Sequence, residues 1–194
     1  MVIKQATFVT SAAREEQFIT PQKAMIAVCG KSNAGKSTLI NMLAGQKKLA
    51  KTSADPGRTR LVNYFDFGEF LLADLPGYGY AAVSKAEKEK WAVLLDKFFA
   101  QKEHIRHVFL LSDIRRDPSD DDLQMVTFLN YHIVPFTVIL TKSDKLSRMK
   151  AKEQARKVAQ QYGLTEANVI AVSGITGDGK EKLLQKISDI VNAS

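Results

Sequence analysis

Apolar runs of five to seven residues recur along this chain, and amphipathic stretches with helical spacing separate most of them. The strand candidates are AMIAVC (24–29), LVNYFDF (61–67), FLLAD (70–74), HVFLLSD (107–113), PFTVILT (135–141) and NVIAVS (168–173). Such alternation predicts an α/β fold of three layers, with helices covering both faces of a mainly parallel sheet. The two runs around Gly68 are too close together for a crossover helix, so they are expected to form an antiparallel hairpin. The expected architecture is a mainly parallel six-stranded sheet plus one antiparallel strand. Residues 1–23 precede the first core run and read as an extension packing on the core, bounded near Pro21, that can add an edge element; residues 24–194 form the main domain. DPSDDDLQM (117–125) reads as a helix entrance, with Pro118 near the first turn and Asp120, Asp121 and Asp122 at the positive end of the helix dipole.

Composition narrows the class. At 194 residues, 45% hydrophobic and 25% charged, the chain fits one globular domain with a substantial core. No apolar run approaches the roughly 20 residues of a membrane span, and the start MVIKQATFVT lacks a signal-peptide pattern, so the expectation is a cytoplasmic protein without membrane insertion. Cys29 is the only cysteine, which excludes a disulfide framework and points to packing inside a strand. His104, His107 and His132 form no catalytic arrangement and read as structural. The formal charge of +7 points to a polyanionic partner. Part of it lies between Lys142 and Lys157, where seven Lys or Arg residues face only Asp144 and Glu153; a solvated helix face is the plainer reading of that run.

The chemistry is carried by GKSNAGKST, Gly30 to Thr38, a complete G-x-x-x-x-G-K-[ST] phosphate loop placed after a strand and before the helical pattern STLINMLAG. Gly30 and Gly35 let backbone amides turn toward phosphate oxygens, with Lys31, Ser32, Asn33 and Ala34 between them. Lys36 reaches the terminal phosphates, Ser37 offers a hydroxyl to Mg2+, and Thr38 completes the loop. TKSD (Thr141, Lys142, Ser143, Asp144) selects the base: Asp144 accepts from the ring N–H and exocyclic amine of guanine, and the Lys142 stem lies over the base. Adenine lacks that donor pair and would leave the carboxylate unpaired. VSGITGDG follows the last strand, and the backbone of Val172, Ser173 and Gly174 is expected near the guanine oxygen. In TSADPGRTR, Gly57 and Arg58 precede Thr59, the expected second hydroxyl on Mg2+ and sensor of the terminal phosphate, with Thr52 and Ser53 as substitutes. In DLPGYGYA, Asp74 holds Mg2+ through a water, Leu75 and Pro76 lead into the turn, and the amide of Gly77 bonds the terminal phosphate. Loss of that phosphate would free both segments, the signature of a switch. The expected catalytic set is Lys36, Thr59 and Gly77; the expected cofactors are GTP or GDP with Mg2+.

With GKSNAGKSTLIN, TSADPGRTR, DLPGYGYA, DIRRDPSDDD and TKSD in this order, nearly the whole chain resembles the EngB (YsxC/YihA) family of ribosome-assembly GTPases, in the TRAFAC class. The resemblance implies a small GTPase-like P-loop NTPase fold, slow GTP hydrolysis, and action as a switch in late assembly of the large (50S) ribosomal subunit, with rRNA or a ribosomal protein as partner. It also implies a need for the protein in normal growth and septation. A lone GTPase domain, acting as a monomer, is expected. The alternative is a signalling GTPase at a membrane or division site.

Tyr78 stands where many GTPases carry a water-positioning glutamine. A phenol lacks the paired carbonyl and amine of glutamine, so slow turnover is expected, with water oriented by backbone groups, a partner or ions. Asn33 raises the expectation of a K+ ion that neutralises developing charge; Arg58 and Arg60 are the other cationic candidates. Tyr78 and Tyr80 either present an aromatic surface in the GTP-bound form or pack on the helix SKAEKEKWAVLLDKFFAQ.

Overall fold

The computed structural model describes residues 1–50, 61–79 and 84–193. Seven strands form one sheet: β1 (Thr7–Ala12), β2 (Met25–Gly30), β3 (Val62–Asp66), β4 (Leu71–Asp74), β5 (Ile105–Asp113), β6 (Phe136–Thr141) and β7 (Val169–Ala171), in the order β1-β3-β4-β2-β5-β6-β7. The helices are α1 (Lys36–Ala44), α2 (Lys85–Ala100), α3 (Asp120–Tyr131), α4 (Arg148–Gln161) and α5 (Lys180–Asn192). Only β3 runs against the rest: it pairs antiparallel with both β1 and β4, while β4, β2, β5, β6 and β7 pair in parallel. The hairpin expected around Gly68 is therefore present as β3–β4.

β1 is the strand that the hydrophobic pattern does not assign. Thr7, Phe8, Val9 and Thr10 are all exposed, so this edge strand shows no apolar-in, polar-out alternation. Its register also shifts between Phe8 and Thr10. Ahead of it, Ala6 is buried against Phe65 and the α1 side of the sheet, so the first residues are built into the same core.

Period-two alternation divides the core into two layers. Met25, Ala27, Cys29, Val108, Leu110, Val138 and Leu140 face α2, α3 and α4, where Phe98, Phe99, Met125, Leu129 and Val158 meet them. Ile26, Val28, Phe109, Leu111, Ile139 and Ile170 face α1 and α5, against Leu39, Ile40, Leu43, Leu183 and Ile187. Both faces are covered, which is why the central strands read as continuous apolar runs. Cys29 is fully buried, as expected of a packed thiol, and burial pushes its pKa up to about 12. The fold brings the carboxyl ends of β2, β4, β5, β6 and β7 to one rim, the usual place for a ligand in an open α/β sheet.

Candidate functional site

The phosphate loop leaves β2 at Gly30 and enters α1 at Lys36. Gly35 caps that helix with φ 96° and offers no side chain to the first-turn amides. They stay directed at the rim, as an anion site at a helix N-terminus requires. Lys31, Ser32, Asn33 and Ala34 form the loop, and Ser37 and Thr38 lie in the first turn of α1.

The end of β6 buckles onto this loop. Thr141 Oγ donates to the carbonyl of Ala34 (2.7 Å), and Lys142 Nζ donates to the carbonyl of Asn33 (3.0 Å) and to Asp113 Oδ2 (2.8 Å). Asp113 also takes both a guanidinium N–H pair and a backbone amide from Arg115. Burial alone would raise the Asp113 pKa, but the bonds from Arg115 and Lys142 outweigh it and hold the carboxyl well below its ordinary range. The ammonium of Lys142 is thus fixed at the loop, and Lys142 and Asp144 line the same cavity.

Asp144 Oδ1 accepts from Ser173 Oγ (2.7 Å), and this bond is the main cause holding its pKa below the usual value. The Ser173 hydroxyl in turn accepts from the amides of Ile175 and Thr176, and the Ser173 amide donates to Asp178 O (2.9 Å). The Ser173 side chain thus supports Asp144, while its amide is engaged with Asp178 O. Ser143 is tied to the same loop by its amide, which donates to Val172 O (3.1 Å). A cavity of about 120 Å3 joins these parts, lined among others by Gly35, Thr38, Thr141, Lys142, Asp144 and Gly174. A second hollow, about 190 Å3, is a dent on one side of α4 lined by Met149, Lys152, Glu153 and Arg156. It is larger, but its walls come from a single helix and converge on no shared polar group.

Asp74 ends β4, buried, and its Oδ1 has no hydrogen-bond partner. Burial pushes its pKa up to about 6, against the opposing effects of the Lys36 charge and Asn63. An orphaned buried carboxylate oxygen beside the phosphate loop fits a water-held Mg2+. Among the described residues no three His, Cys, Asp or Glu side chains cluster for a metal.

Beyond Asp74, Leu75 is buried and its amide donates to Val28 O (2.9 Å); Trp91 Nε1 on α2 donates to Pro76 O (3.1 Å). Gly77 lies against the phosphate loop: a Cβ there would stand 3.2 Å from the Ser32 backbone and 3.3 Å from Lys36 Nζ. Tyr78 is stitched to the same loop by its backbone, donating to Gly30 O (3.3 Å) and accepting from the Ser32 amide (2.9 Å). Its ring turns the other way, buried near Trp91 at a centroid distance of 5.9 Å, and its hydroxyl donates to Asp122 Oδ1 (2.7 Å). Burial, with Cys29 and Asp122 nearby, drives the phenol pKa far above normal. Gly79 has φ 76°, and the Lys31 side chain occupies the space a Cβ would need, on its way to Ser119 Oγ (3.0 Å) and Asp121 (3.2 Å). The Gly-Tyr-Gly sequence is explained by this clasp: both glycines give way to phosphate-loop groups, while the tyrosine between them anchors in the core.

A family model described as "50S ribosome-binding GTPase" matches residues 25–142. A "Probable GTP-binding protein EngB" from Caldanaerobacter subterraneus subsp. tengcongensis is 40% identical over 192 residues, covering 98% of this chain and 99% of the relative. The chain belongs to the EngB family of GTPases. Another EngB relative, from Desulforapulum autotrophicum, is 37% identical over 193 residues, covering 99% of this chain and all of the relative (100%). Two solved structures share the fold. A crystal structure of a probable GTP-binding protein EngB has a TM-score of 0.69 at 24% identity, covering 87% of this chain and 98% of that one. Era in complex with MgGDPNP and nucleotides 1506–1542 of 16S ribosomal RNA has a TM-score of 0.67 at 20% identity, covering 90% and 59%.

In this EngB chain, Gly30 to Thr38, Asp74 to Gly77, Thr141 to Asp144 and Val172 to Gly174 all lie at the strand rim. Gly57, Arg58, Thr59, Thr52, Ser53, Arg60 and Tyr80 lie outside the described residues. In this structure the Tyr78 ring and hydroxyl pack inside the protein, against Trp91 of α2 and Asp122 of α3; the aromatic surface expected of Tyr78 and Tyr80 concerns the GTP-bound form. Two of the three aspartates that open α3 do more than complement a dipole: Asp121 pairs with Lys31, and Asp122 caps α3 with Ser119 while accepting from Tyr78. Asp113 and Asp122 begin and end the DIRRDPSDDD stretch, which shows neither Asp113's bond to Lys142 nor Asp122's bond to Tyr78, and Trp91 lies in no motif. His107 is structural, its ring nitrogen 2.8 Å from Thr137 Oγ in the core.

Proposed function

We propose that this GTPase is a slow molecular switch in late assembly of the large (50S) ribosomal subunit, required for normal growth and septation. GTP binding brings Thr59 and the Gly77 amide to the terminal phosphate, the GTP form engages rRNA or a ribosomal protein, and hydrolysis releases it. The observation that carries the slow rate is the 2.7 Å bond from Tyr78 to Asp122, which keeps the side chain at the glutamine position away from the phosphates. A water near the terminal phosphate then has no side chain from residue 78 to orient it.

The residues assign themselves to tasks by chemistry. Loop amides from Lys31 to Thr38 and the Lys36 ammonium bind the phosphates. Asp144, held by Ser173, reads guanine, and Lys142 lies along the base. Ser37 and Thr59 would hold Mg2+ directly and Asp74 through a water. The ion would neutralise charge developing between the last two phosphates. Asn33, at φ 63° and exposed, is the proposed support for a K+ ion on the other side of the phosphates.

Three observations support a ribosomal partner. The family model carries the description of a 50S ribosome-binding GTPase. The net charge is +7. On α4 and its approach, Lys145, Arg156 and Lys157 are paired with Asp144, Glu166 and Asp117, while Arg148, Lys150 and Lys152 have no ion-pair partner among the described residues. Unpaired cations on one helix suit phosphate contacts whose strength falls with salt. Among the described residues no helix is long and apolar enough to cross a membrane. Depletion of the protein in cells tests the reading: an incomplete large-subunit particle should accumulate with the small subunit unaffected. Normal subunit profiles with the protein found at the membrane would favour the signalling alternative.

A further inference from the structure

Gly77 and Tyr78 are adjacent but work on opposite sides of the chain. Gly77 touches Ser32 and Lys36 in the phosphate loop, whereas Tyr78 points its phenol into the layer between the sheet and α3. The backbone of Tyr78 links the two by bonding on both sides of Lys31, to Gly30 O and from Ser32 N. The Tyr78 amide and carbonyl bonds tie down the peptides on both sides of Tyr78, and the preceding peptide, which carries the Gly77 N–H, is held at Pro76 O by Trp91, so Gly77 lies between two fixed points.

The anchor itself is rigid. Asp122 is only 4% exposed and divides its carboxylate: Oδ2 accepts from the Ser119 amide (2.9 Å) and hydroxyl (2.7 Å), while Oδ1 accepts from Tyr78 (2.7 Å). Each half has a separate duty. The Ser119 half closes the N-terminus of α3, and the Tyr78 half reaches across the core to the loop that borders Lys36. Trp91 adds a second hold on the same loop through Pro76 O.

We propose that Asp122 is a positioning residue for the terminal phosphate of GTP, acting through the Tyr78 hydroxyl to keep the Gly77 peptide beside Lys36. The inference rests on the proposed role of the Gly77 amide. Since GDP has no terminal phosphate to meet that amide, the arrangement discriminates between GTP and GDP, whereas a purely structural aspartate would affect both nucleotides alike. The tyrosine at the glutamine position thus has a use unrelated to orienting water: it is the arm through which α3 sets GTP preference.

The test measures affinity for GDP and for a nonhydrolysable GTP analogue, with Mg2+, across variants of the full chain. Tyr78→Phe keeps the ring and should weaken the analogue about three- to tenfold, the range of one net hydrogen bond, with GDP unchanged. Asp122→Ala should reproduce that selectivity loss, and Asp122→Asn, which keeps an accepting oxygen, should restore most of it. Ser119→Ala removes the hydroxyl that caps α3 and accepts from Lys31, but keeps the Ser119 amide bond to Asp122 and the Tyr78 bond; it should lower thermal stability, and any effect through Lys31 should fall on both nucleotides and leave the analogue-to-GDP ratio intact. Gly77→Ala serves as the reference for the Gly77 reading. If Gly77→Ala selectively weakens the analogue but Tyr78→Phe and Asp122→Ala do not, Asp122 has no positioning role. If Gly77→Ala leaves the ratio unchanged, the reading of Gly77 fails and the inference falls with it.

Discussion

The Ser173 hydroxyl donates to Asp144 Oδ1 at 2.7 Å, and with that bond the loop after β7 holds the carboxylate assigned to guanine. Two amides, of Ile175 and Thr176, fix the hydroxyl in turn. Ser173→Ala should therefore weaken GTP and GDP together, about tenfold, because an unsupported carboxylate loses both orientation and a charge-assisted bond. Titration with a fluorescent guanine nucleotide checks this; a change confined to GTP would contradict it.

Burial of His107 predicts a specific acid sensitivity. Burial, helped by the Lys186 charge, lowers its pKa to about 4, below the ordinary 6.5. The unfolded chain therefore takes up the proton more readily, and the stability present above pH 6.5 is lost as pH falls toward 4. Between pH 7.5 and 5 this residue should account for about 2 kcal/mol of lost stability. His107→Gln, which keeps a polar group for Thr137 but does not titrate, should reduce the acid loss by that amount in urea melts.

Ile133 offers a prediction at the far end of α3. It is 79% exposed yet sits at φ 56°, a left-handed conformation that a β-branched residue adopts only under strain. It follows the last turn where glycine usually stands, with its amide donating to Asn130 O. Ile133→Gly should raise stability by about 1 kcal/mol. An unchanged or lower melting temperature would show that the side chain has compensating contacts.

Potassium is the next variable. With Tyr78 retained in the core, the charge that develops on the transferring phosphate is proposed to be met by a K+ ion supported by Asn33. GTP turnover should be faster in potassium than in sodium buffer at equal ionic strength, and Asn33→Ala should remove the difference. Equal rates for the parent protein would eliminate the ion from the mechanism.

What the sequence makes legible follows from how local each device is. The phosphate loop and TKSD are contiguous strings whose residue types suffice, and period-two apolar runs locate six of the seven strands. β1 escapes because its residues are exposed at the sheet edge, where burial imposes no alternation. Asp122 and Tyr78 lie 44 residues apart, so their bond depends on how α3 packs over the sheet and no spacing rule contains it. Lys142 to Asn33 spans 109 residues for the same reason.

The proposed function is that GTP switches this protein onto the large ribosomal subunit. Its most direct test is co-sedimentation of the purified protein with 50S, 30S and 70S particles, in GDP and in a nonhydrolysable GTP analogue at matched salt. Association with 50S particles is expected in the analogue, with weak association in GDP and loss of binding when Arg148, Lys150 and Lys152 are replaced by glutamate. Absence of 50S association in both nucleotides, or equal binding to every particle in both, would contradict that function.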